Sequence, residues 1–113
     1  MKKNLVNITE TKLRSYLKRI RPPKEIRDEL DIGYSYDGRN IEIFEIRPRW
    51  NKPEEILEIP YAKITYVKSK QIWKLYWMRA SGKWESYPPL PTSTHLEELL
   101  ECIDEDSLGC FKG

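Results

Sequence analysis

The chain has few of the residues that build most catalytic and metal-binding sites. Its 113 residues include one histidine and two cysteines, His95, Cys102 and Cys110, and they contain no C-x-x-C pair. This set does not supply the four ligands of a usual zinc site. No glycine-rich phosphate-binding loop and no Gly-x-Ser-x-Gly sequence is present. We therefore expect no metal, no cofactor and no catalytic residues, so an enzyme is the less favoured class.

Long apolar runs are also missing. No stretch approaches the 18 or more apolar residues that a membrane-spanning helix needs. The two lysines near the N-terminus are not followed by an apolar segment, so they do not begin a secretory signal. Two cysteines are too few for a dense disulfide framework. These absences lead us to expect a cytoplasmic protein with free thiols and no membrane partner.

Charged and aromatic residues are abundant instead. Charged residues make up 34% of the chain and aromatic residues 12%, and the aromatic content argues against disorder. The length suits a single domain, residues 1–113, with one modest core. The net charge of +2 conceals a gradient, because residues 1–30 hold nine basic and four acidic side chains while residues 91–113 hold one and six. The two ends can attract each other within the fold, or a basic face can meet a polyanion.

Hydrophobic periodicity predicts an α+β fold. A helical stripe runs through Leu13, Tyr16, Leu17 and Ile20, a short helix follows over residues 24–30, and a second stripe runs through Leu96, Leu99, Leu100 and Ile103. Between them, alternating patterns and turn residues predict five strands. We expect an N-terminal helix, a short helix, a five-stranded antiparallel meander and a C-terminal helix. The helices should cover one face of the sheet.

Residues 48–60 interrupt this pattern. They contain three prolines, which disfavour a strand in the middle of a sheet. We predict a long connection here, with at most one helical turn, and we expect Trp50 to fold back as an anchor.

The segment from Tyr61 to Tyr87 carries the candidate binding face. It holds three of the four tryptophans and four of the seven tyrosines, with lysine or arginine between them. Alternation along the strands predicts that the three tryptophans, Trp73, Trp77 and Trp84, lie on the apolar face as core, and that Lys63, Lys74 and Tyr76 lie on the other face. Interleaved cations and rings are typical of surfaces that bind single-stranded nucleic acid. Cross-strand aromatic pairs also stabilise sheets without any ligand.

A polar pair, Glu45 and Arg47, shares a strand face with apolar residues. Either Arg47 or Lys63 can neutralise the carboxylate, and the pair is either a packed ion pair or part of a site. The ligand-binding set that we predict is Glu45, Arg47, Arg49, Lys63, Lys74 and Tyr76.

Three functions stay open at this point. The leading hypothesis is a non-catalytic module that binds nucleic acid or another anionic ligand. A second is a metal-dependent phosphodiesterase, in which Asp37 and Glu45 hold Mg²⁺ beside Lys63, and it requires these three side chains to converge in one cleft. A third is a small interaction or assembly module with an exposed aromatic patch.

Several motifs spread along the chain resemble a known family. They are Arg21-Pro22-Pro23 with Arg27, the segments IEIFEIRPRW (41–50), PYAKITY (60–66) and WKLYWM (73–78), Lys83-Trp84, and Gly109-Cys110-Phe111. The chain is similar in these motifs to a small bacterial family catalogued as domain of unknown function 3024. The resemblance implies a short stand-alone protein and draws attention to Glu45, Arg47, Trp50 and Lys63. It implies no activity.

Overall fold

Two helices pack on one face of an antiparallel sheet in the computed structural model, which describes residues 5–111 of the chain. The elements in order are α1 (Leu5–Ile20), a 3₁₀ turn (Lys24–Ile26), β1 (Asp31–Tyr36), β2 (Asn40–Arg49), β3 (Lys52–Val67), β4 (Ile72–Met78), β5 (Trp84–Ser86), β6 (Thr92–Ser93) and α2 (Leu96–Glu105). The predicted α+β fold and its two end helices are confirmed. The predicted short second helix is reduced to the 3₁₀ turn.

The sheet is a meander with one divided edge. Strands β1 to β5 follow one another in space as they do in sequence, and β6 also pairs with β4. β5 lies opposite residues 76–78 of β4 and β6 lies opposite residues 73–74, so the two short strands share the outer edge of β4. The side chain of Tyr87, which follows β5, is fully buried in the core.

The two faces of the sheet differ sharply. The covered face, which the helices pack against, carries Ile32, Ile41, Ile43, Ile64, Trp73 and Leu75. The helices contribute the two predicted stripes, with Leu13 and Tyr16 from α1 and Leu96, Leu99, Leu100 and Ile103 from α2. The open face carries Glu42, Phe44, Lys63, Thr65, Lys74, Tyr76 and Trp84, all of them half-buried. This division follows from the alternation of side chains along each strand.

A β-bulge separates two parts of the β2–β3 pair. Ile43 lies opposite Ala62, whereas Phe44 lies opposite Pro60, so Tyr61 is the extra residue. Both Tyr61 and Ala62 are buried. A bulge bends its strand and increases the local twist. Beyond it, β2 and β3 continue past the ends of β1 and β4 as a two-stranded ribbon.

This ribbon corrects the prediction for residues 48–60. We call residues 47–60 the arm. They form paired strands, with Arg47 opposite Leu57 and Pro48 opposite Ile56, and not a loop with a helical turn. Proline is tolerated because each strand of a two-stranded ribbon is an edge strand, where a missing N–H costs no ladder bond on the unpaired side. Trp50 does not fold back but stands at the tip, 91% exposed.

The position of Trp84 is a second correction. β5 pairs with β4 so that Trp84 lies opposite Met78, on the open face, and not among the core residues. The predicted core position of Trp73 is confirmed, and Trp77 is partly buried against the core. The register that the turn after Met78 imposes decides which face Trp84 occupies, and a shift of one residue would reverse it.

An arginine–carboxylate fork joins the end of α1 to the start of β1. The Arg21 guanidinium donates from Nε to Asp31 Oδ1 (2.9 Å) and from Nη2 to Asp31 Oδ2 (2.6 Å). The Asp31 carboxylate also accepts a hydrogen bond from the Ile32 N–H (2.8 Å). The Arg21 hydrogen bonds are the main reason that the pKa of Asp31 lies below its usual value.

We expect Asp31→Asn to lower the free energy of unfolding at pH 7 by about 1.5–3 kcal/mol, the usual contribution of hydrogen bonds to a charged group. Because the pKa of Asp31 is depressed in the fold, its stabilisation is complete above its unfolded pKa of about 3.9 and is lost as the pH falls through the folded value. The difference between the variant and the wild type should therefore shrink below about pH 4. Urea unfolding across pH 3–7 measures this difference, and Asp28→Asn, at an exposed residue, is the control. A difference that does not change with pH would contradict this origin.

The environments of Trp73 and Trp50 predict effects of very different size on stability. Trp73→Ala should cost about 3–5 kcal/mol, the range for removing a large buried ring, because Trp73 is only 4% exposed. Trp50→Ala should change the stability by less than about 0.5 kcal/mol. Urea unfolding at low protein concentration measures both. A large loss from Trp50→Ala would mean that the ring packs against its own domain.

Candidate nucleic-acid interface on the open face

A lysine and two aromatic rings form a cluster at the centre of the open face. The β3–β4 register places Lys63 opposite Tyr76, and the β4–β5 register brings Trp84 next to them. The Lys63 Nζ lies 5.9 Å from the centre of the Tyr76 ring and 6.0 Å from the centre of the Trp84 ring. These are cation–π distances. The cluster combines two half-buried rings with one cation.

A second basic position lies beside this cluster. Lys74 is opposite Thr65 on β3 and Thr92 on β6. Thr65 Oγ1 donates a hydrogen bond to Asn40 Oδ1 (2.8 Å), which fixes a polar row next to the lysine. Within residues 5–111, Lys74 has no carboxylate at ion-pair distance. Its charge is therefore available to a ligand.

The end of the sheet next to Lys74 is also basic. The β1–β2 turn and the β3–β4 turn enclose a groove of about 360 Å³, lined by Gly38, Arg39, Tyr66, Val67, Lys68 and Ser69. No ion pair to Arg39, Lys68 or Lys70 occurs in the part of the chain that the structure describes. The carboxylate of the nearby Asp37 already has hydrogen-bond donors, because its Oδ1 accepts hydrogen bonds from the Asn40 N–H (2.6 Å) and the Arg39 N–H (2.9 Å). Those bonds hold the pKa of Asp37 below its usual value.

The opposite end of the open face is apolar. A Cβ built on Gly33 would lie 3.1 Å from Phe44 Cε1 and 3.2 Å from Ile46 Cδ1. The side chains of Phe44 and Ile46 therefore rest on the β1 backbone at this glycine. The open face thus runs from an apolar end near β1 to a basic and aromatic region on β3, β4 and β5.

The predicted six-residue set divides between the two faces and the arm. Lys63, Lys74 and Tyr76 lie together on the open face, as the alternation predicts. Glu45 lies on the covered side, opposite Ile32 of β1, and Arg47 Nη2 donates to its Oε1 at 2.6 Å. Arg49 belongs to the arm, where its Nε lies 3.2 Å from Glu55 Oε2. The structure therefore supplies Arg47, and not Lys63, as the partner of Glu45.

The geometry that the phosphodiesterase hypothesis requires does not occur. Lys63 lies opposite Glu42 in the strand register, on the open face, whereas Glu45 lies on the covered side. Asp37 caps a turn at the end of the sheet. Among residues 5–111, no three histidine, cysteine or carboxylate side chains are grouped so that they could hold a metal ion. Cys102 and Cys110 are half-buried free thiols whose pKa values are raised mainly by burial.

Sequence reasoning missed one member of the cluster, Trp84. A two-residue turn at Ser81-Gly82 would pair residue 84 with residue 79. The turn instead has three residues, 80–82, closed by the hydrogen bond from the Arg79 N–H to Lys83 O (2.9 Å), and it pairs residue 84 with residue 78. The arm and its exposed tryptophan were missed as well, since prolines at positions 48, 53 and 60 resemble loop residues.

The comparison with family models gives one result. The model for Domain of unknown function (DUF3024) matches residues 1–113. The chain belongs to this family. It has no match among curated proteins or among solved structures. The family resemblance seen in the sequence motifs is therefore confirmed over the whole chain, and it includes Lys63, Tyr76 and Trp84 of the open face as well as the arm.

One further property concerns the helices. In the described range, 5–111, no helix is both long enough and apolar enough to cross a membrane.

The cation–π cluster predicts a small, specific effect on stability. Lys63→Met should lower the free energy of unfolding by about 0.5–1 kcal/mol, because it removes a cation near two rings and keeps most of the aliphatic stem. Lys74→Met, on the same face but without a cation–π contact among residues 5–111, should be nearly neutral. Urea unfolding with fluorescence detection compares them. Equal effects for the two variants would show that the cation–π contact contributes nothing to the free energy of unfolding.

Proposed function

We propose that this family member is a non-catalytic binding module whose open face binds single-stranded nucleic acid. The observation that carries the proposal is the cluster of Lys63, Tyr76 and Trp84. Bases stack on aromatic rings with about 1–3 kcal/mol per base, and every base has a face that can stack. The two rings would receive bases, and Lys63 would lie close to the intervening phosphate.

The distribution of ion pairs supports the same ligand. Among residues 5–111, every cation of α1 and of the arm except Lys18 is paired with a carboxylate, for example Lys12 with Glu97 and Arg19 with Asp104. Cations of the open face and its basic end, Lys74, Arg39, Lys68 and Lys70, have no such pairs within residues 5–111. A phosphate backbone that crosses the open face toward the two turns would meet these free charges in succession, and each contact would release counterions.

The shape of the surface favours a single strand over a duplex. The rings of Tyr76 and Trp84 are half-buried in a sheet surface and do not project from it. Reading base edges in a duplex needs an element that enters a groove. Stacking on a sheet requires bases that are already unpaired, as in other sheet-based readers of single strands.

Fluorescence anisotropy with labelled single-stranded DNA and RNA of about 12 nucleotides tests the proposal, since sites of this kind span about 4–16 nucleotides. We expect salt-sensitive binding, with Tyr76→Leu weakening it about 5- to 150-fold, the equivalent of 1–3 kcal/mol. Lys74→Gln should reduce the slope of log affinity against log salt by about 0.7, the value for one lost phosphate contact on a single strand.

The matched control is Lys18→Gln, an exposed lysine on α1, away from the open face. It should leave the affinity and the salt slope unchanged. Circular dichroism and thermal melts would verify that every variant is folded. Absence of salt-sensitive binding by the wild-type protein, or equal losses from Lys18→Gln and Lys74→Gln, would refute the proposal.

A further inference from the structure

The open face carries a carboxylate without a protein partner. Glu42 is half-buried on β2, and within residues 5–111 it makes neither an ion pair nor a hydrogen bond. Two other half-buried carboxylates of the first two strands differ from it. Asp31 is bound by Arg21 at 2.6 Å. Glu45 is bound by Arg47 at 2.6 Å. Glu42 therefore keeps both of its oxygens free to accept hydrogen bonds.

A cation lies opposite Glu42 but contacts other groups. The β2–β3 register pairs Glu42 with Lys63, and opposite charges in such a cross-strand pair usually attract each other. No ion pair joins the two among residues 5–111. The Lys63 Nζ lies instead at cation–π distance from the rings of Tyr76 and Trp84. The carboxylate thus stays available to a ligand, with a cation close by.

These groups form one row across the sheet. The registers place Glu42 on β2, Lys63 on β3 and Tyr76 on β4 directly opposite one another. Neighbouring strands lie about 4.8 Å apart, so the Cα atoms of Glu42 and Tyr76 are about 10 Å apart. A base that stacks on Tyr76 and extends toward β2 would pass over Lys63 and bring its edge to the carboxylate. On the far side of Glu42, Ser35 of β1 is small and exposed, which leaves this approach open.

A free carboxylate has a cost on a surface that binds a polyanion. It repels every nearby phosphate, whatever base the phosphate carries. The open face and its basic end can tolerate this charge, because five cations stand there against two carboxylates: Lys63, Lys74, Arg39, Lys68 and Lys70 against Glu42 and Asp37. A ligand that donates hydrogen bonds to Glu42 would offset the repulsion, whereas a ligand without such donors would meet the repulsion alone. A group of this kind gives specificity.

Guanine has the matching pattern of donors and acceptors. Its Watson–Crick edge carries, side by side, the N2 amino group, the N1–H and the O6 acceptor. The two donors fit the two oxygens of a carboxylate, which only accepts hydrogen bonds. The O6 atom fits a lysine, which is a common partner for it. Lys63 has three N–H donors, so a contact with O6 leaves others for the phosphate.

The other bases lack this pattern. Adenine and cytosine have an unprotonated ring nitrogen where guanine has N1–H, and its lone pair would face the carboxylate. Thymine and uracil have an N–H at this position, but a carbonyl oxygen flanks it on each side. Bases in a single strand expose this edge to a protein, so the difference between guanine and the other bases can be read on the open face.

We propose that Glu42 makes the open face selective for guanine. The carboxylate accepts hydrogen bonds from the N1–H and the N2 amino group of a guanine stacked on Tyr76, and Lys63 donates to O6. This inference rests on the proposed binding of single strands to the open face, and it adds the base that the face prefers. A bidentate contact of this kind discriminates against a wrong base by about 5- to 150-fold.

Anisotropy titrations with three strands of about 12 nucleotides test the preference. Each strand is thymine throughout except for one central purine, which is guanine, adenine or hypoxanthine. All three purines can stack on a ring, so differences in affinity report on the edge of the base. The wild-type protein should bind the guanine strand about 5- to 150-fold more tightly than the adenine strand. Hypoxanthine is guanine without the N2 amino group, and its strand should bind with intermediate affinity.

The variant Glu42→Ala removes the acceptor. The guanine preference should fall about fivefold or more, and the difference between guanine and hypoxanthine should shrink with it. Binding of the adenine strand should not weaken, because a negative charge close to the phosphates is lost. The control is Glu101→Ala, which removes a carboxylate of α2 that also has no ion pair within residues 5–111. It should leave the preference unchanged, and circular dichroism would verify that both variants are folded.

Two results would overturn the inference. One is equal affinity of the wild-type protein for the guanine and adenine strands, and the other is a guanine preference that Glu42→Ala leaves intact. Salt-sensitive binding of all three strands would still support the proposed function in either case. Absence of binding to every strand would instead refute the proposed function, and the guanine preference with it.

Discussion

The register of β3 is the constraint on which the open face and the arm both depend. This strand pairs with β2 over the sheet and the arm, and with β4 over the sheet. Its residue Ile64 lies fully buried between Ile41 and Leu75. Alternation then places Lys63 on the open face. A shift of one residue would put this lysine under the helices and expose Ile64, at the cost of a buried unpaired charge and a lost apolar contact. The core thus holds Lys63 beside Tyr76 without any ligand present.

The sequence predicts the features that depend on a pattern within one segment, and it fails for those that depend on how separate segments pair. The helical stripes of Leu13 to Ile20 and Leu96 to Ile103 are patterns within one segment, and both helices occur where they predict them. The common face of Lys63, Lys74 and Tyr76 depends only on one short hairpin. Trp84 was assigned to the wrong face because its position depends on the register across the following turn. The arm was missed because the penalty for proline applies to a strand with neighbours on both sides, and the sequence does not state how many neighbours a strand has.

The separation of Glu45 from Lys63 has a similar cause. Both residues lie in conspicuous motifs, and alternation within β2 correctly groups Glu45 with Arg47 and the apolar side chains. Its relation to Lys63 depends on the β2–β3 register, which places Lys63 opposite Glu42, three residues from Glu45 along β2. A register joins two segments of the chain and is not a pattern within one of them. A carboxylate and a lysine that look like parts of one site therefore lie on opposite sides of the sheet, and only the pairing reveals it.

The charge gradient of the chain becomes a division between two surfaces. The acidic last helix neutralises part of the basic first helix through Lys12–Glu97 and Arg19–Asp104, while Glu101 and Glu105 on the helix side have no ion pair within residues 5–111. The cations without partners collect on the open face and at its basic end. A polyanion is therefore attracted to the open face and repelled by the carboxylates of the helix side.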